Sequence, residues 1–381
     1  MSDSRIASVV PAQDGLPVPR RYWAIVSIGL GITLAVLDGA IANVALPSIA
    51  RDLQASEAAS IWIVNAYQIA IVVALLPLAS LGEIVGYRRV SQVGLAVFTL
   101  ASLACALSDS ILTLSLARVL QGFGAAGIMS VNGALVRFTY PQRMLGRAVG
   151  INAVIVSMAA AAGPTIASAV LSLGEWRWLF ALNIPLGVLA VSMAGFTLPH
   201  NPLQKRRLNL TGAALSAAAF GLVITGMQAL AHGEASILGF GLTGLGLAAG
   251  VLLVRHERPS KTPLIPLDLL ARPMFALSVA TSIISFTAQM MAFISLPFFL
   301  QGSLGLSAVE TGLLMTPWPL ATMFAAPLAG WLSDRYSAGI LGAVGLSLFA
   351  CGLMALSFLD GDSSRFDIIW RMALCGAGFG F

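Results

Sequence analysis

Apolar residues run along this 381-residue chain in long stretches, separated by short segments that carry most of the charges and many of the Pro and Gly residues. The runs are continuously apolar, without the alternation of a barrel strand, and most reach the roughly 20 residues of a membrane-crossing helix. They predict spans over residues 22–47, 58–83, 90–107, 111–136, 146–173, 179–198, 211–231, 236–254, 274–300, 307–332 and 339–358, with a twelfth beginning near Ile368. The seventh and eighth flank only His232, Gly233, Glu234 and Ala235, so they read as one tight hairpin. From Ile368 to the last residue a helix reaches only about 21 Å, short of the roughly 30 Å hydrocarbon layer. The sequence is therefore expected to stop inside its twelfth span, leaving the second half incomplete.

Composition agrees with this pattern. Hydrophobic residues make up 58% and charged residues 10%, against about 25% charged in an ordinary soluble domain, which excludes a soluble globule. The net charge of +5 follows from where the cations sit. Fifteen of the 21 Lys and Arg residues fall in the amino-terminal tail and in the loops after even-numbered spans, with Arg147 just inside the start of the fifth span, and three in the other loops. That asymmetry predicts a cytoplasmic amino terminus and needs no nucleic-acid partner. Residues 1–21 are polar, hold Pro11, Pro17 and Pro19, and read as a loose tail rather than a signal peptide. Cys105, Cys351 and Cys375 each lie in an apolar run and His200, His232 and His256 all lie between runs, so no metal-ligand spacing arises. No Ser/His, paired-Asp or metal constellation points to an enzyme.

A weak internal repeat is visible. Leu81-Gly82-Glu83 closes the second span and Leu332-Ser333-Asp334-Arg335 the tenth, which makes span 9 the counterpart of span 1 and the hairpin an insertion between two six-helix repeats. The expected organisation is a tail (1–21), a first six-helix bundle (22–198), an inserted hairpin with its loop (199–254) and a second bundle (255–381).

Several motifs then carry a resemblance. The first span holds Leu37-Asp38-Gly39-Ala40-Ile41-Ala42-Asn43-Val44-Ala45-Leu46-Pro47, and the fourth holds Arg118-Val119-Leu120-Gln121-Gly122. The sixth starts from Trp176-Arg177-Trp178-Leu179-Phe180-Ala181-Leu182-Asn183-Ile184-Pro185-Leu186-Gly187. Together, in this order, they resemble the fourteen-span drug:proton antiporters of the major facilitator superfamily. The resemblance implies an all-α membrane bundle of two six-helix repeats with an inserted hairpin, and two further helices beyond this sequence. The loop after span 2 departs from the family's Gly-x-Leu-x-Asp-Arg-x-Gly-Arg-Arg by placing Glu83 for Asp and Ile84 for Arg, while keeping Gly86 and Arg88. Span 5 keeps Gly150, Gly163 and Pro164 of the antiporter motif, with Ala159, Ala167 and Ser168 where the family has glycines.

The chemistry centres on Asp38, an acid well inside a span, where an ionisable residue is costly and so a functional candidate. It lies about 13 Å below the outer end of span 1, and Arg118 about 10 Å below that of span 4, so the two share one depth. They read either as a permanent ion pair or as a proton-coupling site, reachable by water from alternate sides of the bundle, whose affinity depends on burial, on Arg118 and on a cationic substrate. Asn43, Gln68, Gln121, Gln289 and Phe293 are candidates for the substrate cavity. Glu83, Gly86, Arg88, Gly163, Pro164, Asp334 and Arg335 are candidates for conformational motifs, with Glu83, Arg88 and Arg89 expected to pair with helix ends of the other half, or Arg89 to be part of a solvated loop. The string Gly122-x-Gly124-x-x-Gly127 matches a dinucleotide fingerprint by letter, but no strand precedes it, so it reads as close helix packing.

The expected activity is export of lipophilic compounds, cations foremost, in exchange for protons across the cytoplasmic (inner) membrane. The partners are a small-molecule substrate, protons and the lipid bilayer, with no prosthetic group beyond the proton gradient and no efflux partner identifiable in the periplasm or outer membrane. Two other readings fit the same residues: an exporter of a native metabolite, and a truncated membrane protein that transports nothing.

Overall fold

The computed structural model describes all residues except 1–13, 206–207, 232–235, 260–268, 270, 307, 334 and 362. Fourteen α-helices are described: α1 (Arg20–Asp52), α2 (Glu57–Val85), α3 (Tyr87–Ala106), α4 (Ile111–Thr139), α5 (Leu145–Leu173), α6 (Arg177–Ala181), α7 (Asn183–Thr197), α8 (Leu210–Ala231), α9 (Ser236–Glu257), α10 (Pro273–Gly302), α11 (Ala308–Met315), α12 (Pro317–Leu332), α13 (Ala338–Ser357) and α14 (Arg365–Gly380). Among the described residues, ten helical segments are long and apolar enough to cross a membrane.

Helix starts follow local chemistry. Ser56 accepts a hydrogen bond from the Ala59 N–H at 3.2 Å, and Ser110 with Thr113, like Ser364 with Asp367, forms a reciprocal capping box. Gly86, the hinge between α2 and α3, has φ +106°, a conformation that a Cβ disfavours.

Two predicted spans are broken. The sixth divides at Leu182 and the tenth at Thr316. In each case proline explains the break, because Pro185 and Pro317 cannot donate a backbone hydrogen bond to the residue four positions earlier.

Helices α1–α7 pack as one lobe and α10–α14 as another. Leu34, Phe98, Ile128 and Val131 form part of the first lobe's core, with Leu37, Ile63 and Leu114 in an adjoining cluster. Leu296, Leu300, Trp318, Phe349 and Met372 form the core of the second. The glycines of α4 allow backbone to meet backbone: a Cβ on Gly122 would lie 2.6 Å from the Tyr67 carbonyl oxygen, and one on Gly124 2.4 Å from the Phe98 nitrogen. This is close helix packing, the role expected for the glycine string. Helices α8 and α9 pack on each other, and α8 rests against α2.

The lobes meet chiefly through α5 and α12. A Cβ on Gly150 would lie 3.2 Å from Pro327 Cα, and one on Gly330 3.0 Å from the Gly146 carbonyl oxygen. These contacts lie toward the ends of α5 and α12 that adjoin basic loops, next to Arg143 and Arg335.

The segment read as a loose tail is docked from residue 14 onward. The Leu16 N–H donates to the Thr139 carbonyl at 2.9 Å, the Asp14 carboxylate accepts from the Gln142 N–H at 3.0 Å, and Arg21 Nε donates to the Leu16 carbonyl at 2.9 Å. The prolines favour an extended path, and the free backbone groups at the end of α4 give that path partners.

Candidate functional site

Asp38 and Arg118, 80 residues apart, form an ion pair inside the first lobe. Asp38 is 2% exposed and Arg118 is fully buried. The α1 apolar run carries Asp38 inward, and α4 sets Arg118 beside it because Gly122 and Gly124 let α4 approach its neighbours closely. Arg118 Nη1 donates to Asp38 Oδ2. The other oxygen, Oδ1, accepts from Gln121 Nε2 at 2.8 Å and from Asn183 Nδ2 at 2.7 Å. A buried carboxylate survives in such a place only when paired and hydrogen-bonded, and all three donors meet that demand.

Further contacts hold those donors. Arg118 Nη1 also donates to Gln121 Oε1 at 2.7 Å, and its Nε donates to the Ile63 carbonyl at 3.1 Å. Its guanidinium lies 4.0 Å from the centre of the Tyr67 ring and 5.7 Å from that of Phe180, distances at which an aromatic face attracts a cation. The Tyr67 hydroxyl donates to the Ala35 carbonyl at 2.8 Å. Gln121 Nε2 also donates to Ser102 Oγ at 2.9 Å, and Cys105 Sγ lies 3.5 Å from Gln121 Oε1. Among the described residues, Arg118 Nη2 and Asn183 Oδ1 are buried without a hydrogen-bond partner, so the cluster has one donor nitrogen, with two N–H groups, and one acceptor oxygen to spare.

The expectation of a water-reachable acid fails in this conformation, since Asp38 is sealed among helices of a single lobe. Of the five residues expected along a substrate cavity, only Gln121 joins Asp38, and it is fully buried rather than facing open space. Asn43 is exposed and donates to the Gly39 carbonyl of its own helix at 3.1 Å. Gln68 is exposed on α2 and Gln289 half-buried on α10. Phe293 packs its ring edgewise on Trp318, 5.1 Å between centres, within the second lobe.

The conformational candidates divide similarly. Arg88 donates to the Gly195 carbonyl near the end of α7 and lies 3.0 Å from His200 Nε2. Its partner is thus a helix end of the same lobe, contrary to the expected pairing with the other half, because Gly86 turns α3 back toward α7. The Glu83 carbonyl accepts from the Gln204 N–H at 2.8 Å. A Cβ on Gly163 would lie 2.5 Å from Ala40 Cβ, which makes it a close contact between α5 and α1. The α5 helix continues through Pro164. Arg335 stacks on Trp331 at 4.5 Å, and Asp334 lies outside the described residues.

Sequence reasoning missed Asn183, Ser102 and Cys105 as members of the cluster. Asn183 had a signal, being an amide just inside the sixth apolar run. A second cluster joins loop ends at the opposite side of the first lobe. Asp52 accepts from Trp176 Nε1 at 2.8 Å and from Arg177 Nη1 at 2.9 Å. These donors, the Trp176 indole first, hold its carboxyl below the ordinary 3.8.

Among the described residues the fold is a two-lobed helical bundle with a charge pair buried inside one lobe, an architecture found in multi-pass secondary transporters. The chain matches the Major Facilitator Superfamily over residues 28–381 and belongs to that family. It is 55% identical over 369 residues to the uncharacterized transporter YebQ of Escherichia coli (strain K12), covering 96% of this chain and 81% of that one. It is 29% identical to the riboflavin transporter RibZ of Clostridioides difficile (strain 630), covering 95% and 78%. Multidrug resistance protein Stp of Mycobacterium tuberculosis (strain CDC 1551 / Oshkosh) is 32% identical, covering 94% and 67%. The fold resembles that of the proton:xylose symporter XylE bound to 6-bromo-6-deoxy-D-glucose, with a TM-score of 0.68 at 14% identity, over 94% of this chain and 79% of that one.

Proposed function

We propose that this transporter is a proton-coupled exporter of lipophilic compounds, cations foremost, of the fourteen-span branch. In this reading it resides in the cytoplasmic membrane with its amino terminus in the cytoplasm, and α8 and α9 form a hairpin inserted between two six-helix repeats. The proton gradient supplies the energy without a prosthetic group. One pH unit is worth about 1.4 kcal/mol, and one charge moved across 100 mV about 2.3 kcal/mol.

The observation that carries the reading is the intramembrane carboxylate of Asp38, bound to Arg118 and to two amides within a superfamily bundle. Protonation removes the charge that holds Arg118 and weakens every bond to Asp38. Because the acid is sealed in this conformer, proton exchange belongs to another state of the cycle. The name of the Mycobacterium relative favours drugs as substrates, while that of the Clostridioides relative keeps a native metabolite in view.

A second reading is favoured by the same burial: a permanent ion pair that holds the lobe together and never titrates. Efflux of a fluorescent lipophilic cation from vesicles under an imposed pH gradient separates the two. Under the exchange reading, Asp38→Asn abolishes acceleration by the gradient, and the double variant with Arg118→Gln regains thermal stability without regaining coupling. Recovery of pH-driven transport by that double variant would overturn proton exchange at Asp38.

A further inference from the structure

A groove of about 570 Å³ opens on the outside of the first lobe, away from the Asp38 cluster. Its walls are Pro77, Leu81 and Val85 of α2 and Val93 and Val97 of α3, with Phe123 of α4 at its floor. Ala217 of α8 closes one side, where α8 leans on α2. The lining surface is apolar throughout; Arg89, exposed, contributes its stem at the end that adjoins the basic loops, with its charged head beyond the groove.

The dimensions select an occupant. From Val85 to Val73 the groove follows α2 for about 18 Å, and from Arg89 to Val97 it follows α3 for about 12 Å. Half of a roughly 30 Å hydrocarbon layer is about 15 Å, so the groove spans one leaflet, with its cation where headgroups lie. Bulk water gains nothing in so apolar a space, and a lipophilic cation would meet the like charge of Arg89 with no carboxylate among the lining residues.

We infer that this groove binds an anionic phospholipid, one acyl chain lying between α2 and α3 and the phosphate on Arg89. Basic pockets on the cytoplasmic side of helical membrane proteins recognise such headgroups. The bound chain fills the space between the first lobe and α8, so the lipid also ties α8 to the lobe.

Native mass spectrometry of the purified chain, titrated with phosphatidylglycerol or zwitterionic phosphatidylcholine, tests this. One phosphatidylglycerol should be held about fivefold more tightly than phosphatidylcholine, the effect of one surface cation. Arg89→Gln should equalise the two lipids and Arg89→Lys restore the preference. Val93→Trp, which fills the groove from an exposed position, should weaken both. Arg137→Gln, which removes an exposed cation from the last turn of α4, should leave the preference intact. Equal binding by the unaltered chain, a preference that survives Arg89→Gln, or one that falls as much with Arg137→Gln would overturn the proposal. So would displacement of the lipid by inorganic phosphate or by tetraphenylphosphonium.

Discussion

Asp38→Asn changes one atom in size hardly at all and one charge completely. The fully buried Arg118 loses its counter-ion, and the new amide turns a donor toward Arg118 or toward Gln121 and Asn183, where an acceptor is needed. Breaking one partner of a buried pair destabilises by about 3–5 kcal/mol, which shifts the opening equilibrium by roughly two to four powers of ten. Removing both charges relieves the orphaned guanidinium, so Asp38→Asn with Arg118→Gln should be less destabilised than Asp38→Asn alone. Cys105 provides the assay, because its thiol is buried within contact of Gln121. In a background where Cys351 and Cys375 are replaced by Ser, the rate at which a maleimide labels Cys105 follows opening of the cluster. Asp38→Asn should raise that rate at least a hundredfold, and the double variant should lower it again. Labelling of Asp38→Asn at the unaltered rate, or a double variant as reactive as the single one, would refute the argument that the pair holds the lobe closed.

Gly86→Ala forces a side chain into φ +106° and should destabilise by about 1–3 kcal/mol, read as a lower melting temperature with α2–α3 contacts weakened. The bonds to Asp52 stabilise the fold only while its carboxyl is charged. Its lowered pKa means their contribution persists above the ordinary carboxylate value and disappears as pH falls through the depressed one. The melting difference between the unaltered chain and Asp52→Asn should therefore hold steady from about pH 7 to 5 and shrink only below about 4; a difference that vanishes near neutrality would contradict this. Cysteines introduced together at Gly146 and Gly330 should crosslink on oxidation and stop transport, with reductant restoring it; free turnover of the crosslinked protein would show that the lobes need not part there. Gly122→Ala should force α4 away from the Tyr67 carbonyl and lower stability by about 1–3 kcal/mol, measurable by the same thiol assay.

The membrane-length helices were legible because nothing but an apolar run can sit in lipid without exposing polar groups, and the runs could be measured directly. The shared depth of Asp38 and Arg118 was legible for a related reason: charge is so rare there that two instances invite pairing. What a one-dimensional reading lacks is rotation about each helix axis. Asn43 and Gln121 both lie in apolar spans, yet Gln121 is buried against Asp38 while Asn43 is exposed and bonded to its own helix. Asn183 reaches the acid from 145 residues away, a closure that depends on how α7 packs against α1 and α3. Arg88 misled for the opposite reason: its charge was visible, but the direction set by Gly86 was not. The breaks at Leu182 and Thr316 were in principle readable from Pro185 and Pro317, since each removes a specific backbone donor.

Every group that touches the Asp38 carboxylate rides on α4 or α7, within the same lobe as α1. Under the exchange proposal, a rigid turn of one lobe on the other about the contact of α5 and α12 would carry the acid together with all three of its donors, so reaching Asp38 with a proton requires a movement inside the first lobe as well. Coupling would then lie in the link between the two movements, and alterations at the seam or around Asp38 should each lower pH-driven transport, the first by holding the lobes together and the second by severing that link.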